Sequence, residues 1–412
     1  NIVHFLSREG VNHDKNYKAF STPNRLVIYF KNIENQILKK SREVKGPSVL
    51  STDEALKGFI NSNKISMKNI FKKKTENGEF FFYKTKSQKI QTKILLEKNI
   101  PSLLSQIKWK KSMKWGNYDL HWGRPLKSIM SIYAGKTLNF KFFHLKNSNN
   151  TFINKDYEEG IKSFHNFKSY IGYFKKMGIL IDHIERKKLI EKSLLKSSNK
   201  KNFVMVIKDK LIDEVTNLVE KPKVILCSFN ERFLKMPDEL LTTTIEFHQK
   251  YFLVYDKNRK LSNNFYIVAD CEDKYGQIKL GNEKVIESRL RDAEYFWEKN
   301  KSINLIKQVV KLKDINYFNG LGSYFDKAQR LKKLSGLISD ELLISKEKVE
   351  VASTICKVDL LSNLVNEFPE LQGVLGGYFA EEQGFEKEVC LSIKEQYLPS
   401  SSNGIIPKND YS

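Results

Sequence analysis

The spacing of apolar and polar positions changes several times along the 412 residues, and each change marks a different element. RLVIYF (25–30) is an apolar run too short for a helix and predicts a strand. FKKKTENGEFFFYKTK (71–86) sets aromatic runs on both sides of Asn77-Gly78, a strong turn dipeptide, and predicts a hairpin. Residues 88–107 carry the period of an amphipathic helix leading to Pro101 and a further short helix. Residues 108–143 give a loop, an apolar segment and a strand after a turn at Gly135. Residues 146–160 hold few large apolar side chains and predict an exposed loop. A basic helix over 179–196 leads into the linker SSNKKN (197–202). NFVMVIKD (202–209) and KVILCSF (223–229) then predict buried strands with a helix between them.

Two longer helices follow. In MPDELLTTTIEFHQKYF (236–252), Pro237 suits a first helical position, and Asp238 and Glu239 suit the positive helix start. Leu241, Ile245, His248 and Phe252 fall on one face, with Lys250 opposite. In NEKVIESRLRDAEYFWEK (282–299), Asn282 predicts the N-cap and Ile286, Leu290, Ala293 and Trp297 the buried stripe. Lys284, Ser288, Arg291, Asp292 and Tyr295 share the opposite face. From 314 onward the signals are almost entirely helical. Over 359–384 one helix stops at Phe368-Pro369 and a second contains Gly376-Gly377. Glycine inside a helix costs about 1 kcal/mol against alanine, so Gly373, Gly376 and Gly377 predict close backbone contact or a bend.

The fold class expected is α+β and multidomain, with a mixed α/β N-terminal part and an all-helical C-terminal part. A chain of this length exceeds one ordinary core, and the segments read as 1–145, 146–313 and 314–412. Net charge is +23, which attracts polyanions, nucleic acid first. Only ten of the 71 basic residues are arginine, so 61 are lysine, and part of that excess is what an AT-rich coding sequence produces. Four scattered cysteines form neither a disulfide framework nor a zinc motif, which fits a reducing cytoplasm. No apolar run is long enough to span a bilayer, and the first residues carry no signal pattern. The chain opens without Met and in mid-pattern, as a fragment would.

Candidate chemistry is sparse. His248 could serve as a general base or RNA contact. It has no identifiable nucleophile or acidic partner nearby, so a structural role is expected. Trp109, Trp115 and Trp122 alternate with lysines and Arg124; such rings can stack bases, or form a core edge with lysine stems over it. No phosphate-cradling loop, dinucleotide fingerprint or histidine pair at metal spacing occurs, and GLGSY (320–324) lacks a strand–turn–helix setting. No catalytic residue and no metal ligand is expected in this chain.

Several segments resemble the beta subunit of the two-subunit bacterial glycyl-tRNA synthetase. They are SMKWGNYDLHWGRPLKSIMSIYAGK (112–136), the stretch 233–270 with HQKYF, GNEKVIESRLRDAEYFWEKN (281–300) with FNGLGSYFDKAQRLKKL (318–334), and KVDLLSNLVNEFPELQGVLGGYFAEEQG (357–384). STPNRLVIYF (21–30) is similar to that family's early segment. The resemblance implies an editing-like N-terminal region, a helical domain related to HD phosphohydrolases, and further tRNA-binding domains beyond this chain. It implies an alpha subunit that uses ATP, tRNA(Gly) as a partner, an alpha2-beta2 assembly, and a cytoplasmic place. No cofactor is expected on this chain. Lys357-Val358-Asp359 stands where an HD pair would be expected, and no histidine follows His248, so a scaffold is expected rather than a hydrolase. His165 only loosely matches the family's element in the loop 146–168. Arg124, Lys127, Lys250, Arg289 and Arg291 are the expected RNA or subunit contacts, and His248, Gly376 and Gly377 the structural positions. An RNA-binding scaffold or truncated remnant without aminoacylation is the alternative.

Overall fold

The structure is a computed structural model that describes residues 1–153 and 160–412. The chain forms two compact units, Asn1–Ile181 and Asp182–Ser412.

In the first unit short antiparallel pairs dominate. The run at 25–30 supplies the strand Leu26–Tyr29, paired with Lys18–Ser21. The hairpin at 71–86 is present as Ile70–Thr75 and Gly78–Lys84, and Glu43–Ser48 extends it to three strands. Thr75 pairs with Gly78, so the turn is Glu76-Asn77, one residue before the dipeptide expected at its centre. The Gly135 turn joins Ile132–Tyr133 to Lys136–Thr137. Residues 88–91 form a strand against Gln36–Lys39, and the helix Thr92–Ser105 runs through Pro101 without a break. Both points correct the expected helix from 88.

The expected exposed loop is corrected as well. Asn147 is buried and donates from Nδ2 to the Leu138 carbonyl at 2.6 Å, and Asn150–Ile153 pairs with Gly160–Ser163. The middle of that segment lies outside the described residues. Three apolar clusters hold the unit. Phe5, Leu6, Leu95, Leu96 and Phe140 form one, Ile153, Phe164, Tyr170 and Phe174 another, and Leu120, Trp122 and Phe142 a third.

The second unit is built on a three-stranded antiparallel sheet ordered Lys223–Ser228, Leu261–Ala269, Phe252–Tyr255. Side chains alternate across a strand, so each strand feeds two cores. Cys227, Leu253, Phe265 and Ile267 face one core, with Ile286, Leu290, Ala293 and Trp297 of the helix Gln277–Lys301. Phe252, Val254 and Tyr266 face the other, with Ile190 and Leu194 of His183–Lys200 and Leu211, Ile212 and Val215 of Asp209–Thr216. The buried stripe 286/290/293/297 therefore holds. Its N-cap does not: the helix starts earlier, after Gly276, and Asn282 lies inside it. Residues 202–209 form no strand. Val204 makes one bridge to Tyr255, and Val206 is exposed. The linker at 197–202 is also corrected, since the helix continues through Lys200.

Beyond Asp314 a short hairpin (Asn316–Phe318 with Gly322–Ser323) precedes the helices Tyr324–Leu342, Lys346–Ile355, Asn363–Glu367, Val374–Glu382 and Lys387–Glu395. Ser323 and Asp326 start the first of these with a reciprocal capping box. One continuous apolar cluster joins Cys227 of the sheet to Phe379 and Ile393 of these helices. No described helix is long and apolar enough to cross a membrane.

Candidate nucleic-acid interface

The glycine-bearing helix is explained by what it touches. A Cβ on Gly377 would lie 2.6 Å from the carbonyl oxygen of Cys390, and one on Gly376 would lie 3.1 Å from Asp359 and Ile393. Gly377 thus lets helix Val374–Glu382 meet the backbone of Lys387–Glu395, while Gly376 makes room for the Asp359 and Ile393 side chains. Gly373, at φ +85°, starts the helix and donates its N–H to Asp359 Oδ2 at 2.5 Å. A carboxylate at a helix N-terminus meets unpaired amides and the positive end of the helix dipole.

Asp359 is buried, and desolvation pushes its carboxyl up to about 6, against the pull of the Gly373 amide and of Lys357. Its Oδ1 accepts no hydrogen bond of ordinary geometry among the described residues, although the Leu360 and Gly376 amides also face the carboxylate. The Lys357 ammonium is buried alongside. It donates to Gln396 Oε1 and, at 2.8 Å, to Tyr397 Oη, and lies 4.2 Å from the Tyr397 ring centroid. Burial lowers its affinity for a proton. This arrangement can clamp three chain segments together. Among the described residues no cluster of His, Cys, Asp or Glu could hold a metal ion.

His248 does not lie on the apolar stripe. Leu241 and Ile245 are buried, but Thr243–His248 is a π-helical turn, which advances the register and brings His248 out at the surface. Its ring stacks on Phe368 at 5.2 Å and its Nε2 meets Glu370 Oε1 at 2.8 Å. The acidic partner missing from the sequence reading comes from FPEL, more than a hundred residues away. Phe252, expected on the same helical face, belongs to a strand instead.

Of the five expected contact residues, two belong to the first unit and three to the second. Arg124 and Lys127 are exposed in the first unit, and Lys127 Nζ lies 4.5 Å from the Phe152 ring centroid. Lys250, at φ +62°, pairs with Glu214 at 2.9 Å. Arg291 pairs with Glu287 at 3.2 Å one turn back on its own helix. Arg289 is exposed and has no ion pair among the described residues, and the burial pattern places it and Arg291 on the solvent side of the helix.

Trp122 is core, and Trp109 and Trp115 are partly buried against it. Trp122 is buried against Trp109 and Phe142, and Trp115 donates from Nε1 to the Trp122 carbonyl at 2.8 Å. Tyr118, Phe143 and His144 in the same unit are exposed, and the sequence alone did not single them out. The signal was available in FKFFH (140–144): two aromatic rings where a two-residue hairpin turn ordinarily takes Asn, Asp or Gly.

Comparison with known proteins agrees with the segments above. A family model described as glycyl-tRNA synthetase beta subunit matches residues 1–412. Proteins named glycine–tRNA ligase beta subunit match over 95% of this chain, with 30% identity in Rickettsia prowazekii, 31% in Rickettsia bellii and 32% in Thermodesulfovibrio yellowstonii. The chain spans 59% of the length of each. With its whole given length matched, the chain belongs to the glycyl-tRNA synthetase beta subunit family.

Proposed function

We propose that this chain serves as part of the beta subunit of a glycine–tRNA ligase, binding tRNA(Gly) and supporting ATP-dependent glycylation on an alpha subunit. The observation that carries the reading is the family match over all 412 residues, joined to a net charge of +23. The beta-subunit name of the relatives supports an alpha partner. An alpha2-beta2 stoichiometry, a cytoplasmic setting and the three-way division into 1–145, an editing-like 146–313 and an HD-like 314–412 belong to the same reading. So does the assignment of ATP to the alpha subunit, with no cofactor on this chain.

The contribution would be positional. Lysine-rich surface gathers the phosphate backbone, and holding the acceptor arm in one geometry turns a bimolecular encounter into an oriented one. The Asp359 clamp and the glycine contact would keep the helical part rigid enough to act as that frame. Arg124, Lys127, Lys250, Arg289 and Arg291 are the contacts this reading proposes. The test is glycylation of tRNA(Gly) by alpha subunit alone and with the full-length beta chain. Charging that depends on the beta chain is expected; equal charging without it would remove the reading.

A further inference from the structure

Residues Lys141-Phe142 and Leu145-Lys146 form a hairpin closed by the two-residue turn Phe143-His144. Three features of it work against its own stability. Phe143 has φ +51°, a left-handed conformation that suits glycine or asparagine and is strained for a bulky ring. Its side chain is 50% exposed, held at its inner edge by Phe142 at 5.0 Å. Lys141 and Lys146 stand directly opposite each other on the exposed face, where like charges repel, and neither has an acidic partner among the described residues.

A second loop completes the surface. His144 stacks on Tyr118 at 4.0 Å with ring planes 15° apart, and Tyr118 is 46% exposed. The one acidic residue of that loop, Asp119, is neutralised by Lys114 at 2.6 Å. Planar rings open at a strained turn, beside a lysine pair with no counter-ion among the described residues, are complementary to a ligand that brings both π-faces and phosphates.

From this geometry we infer that Phe143, His144 and Tyr118 form a stacking platform for unpaired RNA nucleotides, with Lys141 and Lys146 on the flanking phosphates. The inference deepens the proposed tRNA-binding function and rests on it. It is tested by fluorescence anisotropy of the full-length chain with a labelled six-nucleotide single-stranded RNA, its abasic counterpart, and intact tRNA(Gly). Phe143→Gly should weaken the six-nucleotide RNA roughly tenfold while the melting temperature holds or rises, because the turn strain is relieved. His144→Ala should weaken it in the same direction, and the abasic RNA should bind the parent chain comparably less. Phe143→Gly binding within twofold of the parent, or equal binding of abasic RNA, overturns the platform while leaving tRNA binding elsewhere intact. Loss of alpha-subunit association with RNA binding unchanged makes the hairpin a protein contact and also overturns it. Failure of the parent chain to bind tRNA(Gly) at all removes the proposed function together with the platform.

Discussion

Alanine in place of Gly377 would bring its Cβ to 2.6 Å from a backbone oxygen that cannot swing aside. Alanine in place of Gly281, inside the helix Gln277–Lys301, would meet nothing within 4 Å. The same substitution should therefore have opposite signs. Gly281→Ala should gain up to about 1 kcal/mol from helix propensity. Gly377→Ala should lose about 1–3 kcal/mol, because overpacking outweighs that gain. Denaturant unfolding of the two variants beside the parent checks both signs. The pair also marks what sequence can tell about a glycine. Gly376-Gly377 announced a close contact because two adjacent helix-weakening residues need a reason. His248 misled because a period of 3.6 does not survive a π-helical turn, and its partner Glu370 lies far off in sequence.

Helix Val374–Glu382 depends on a carboxylate outside itself. The Asp359 acid is raised to about 6 in the folded chain, against an ordinary value of 3.8. Between those values the folded state holds the proton that the unfolded state has lost, so stability falls as pH rises through that window. A shift of this size corresponds to roughly 3 kcal/mol. Asp359→Asn keeps an oxygen for the Gly373 amide and removes the titration. Unfolding followed from pH 4 to 7 should show a decline in the parent that is flattened in Asp359→Asn; an unchanged decline would mean other groups dominate.

Element identity was legible wherever one face was buried over several turns, as in the stripe Ile286, Leu290, Ala293 and Trp297. It failed where the pattern was right but the neighbour was absent. NFVMVIKD reads as a strand by composition, yet only Val204 finds a bridge, and a lone strand without a ladder is not stable. The start of Gln277–Lys301 was misplaced because Asn282 is a good cap residue that here accepts from Tyr251 Oη inside the helix.

Across the whole molecule, charge was the plainest signal, and position the least. The sum of +23 follows from counting, but where the lysines stand depends on the fold, and many are already committed. Lys250 and Arg291 have carboxylate partners, while Lys141 and Lys146 have none among the described residues. Exposed pairs of the first kind are worth little, and a phosphate can replace the carboxylate at small cost. Family membership was legible because long segments stay recognisable in order even where single contacts are not. The proposed role, holding tRNA through its phosphates, is open to one direct test. That test is the affinity of the full-length beta chain, with the proposed alpha subunit, for tRNA(Gly) across a salt series. With about five phosphate contacts, binding should weaken roughly several-hundredfold between about 50 and 200 mM salt, linearly on logarithmic axes. A response that stays flat over that range would contradict the claim.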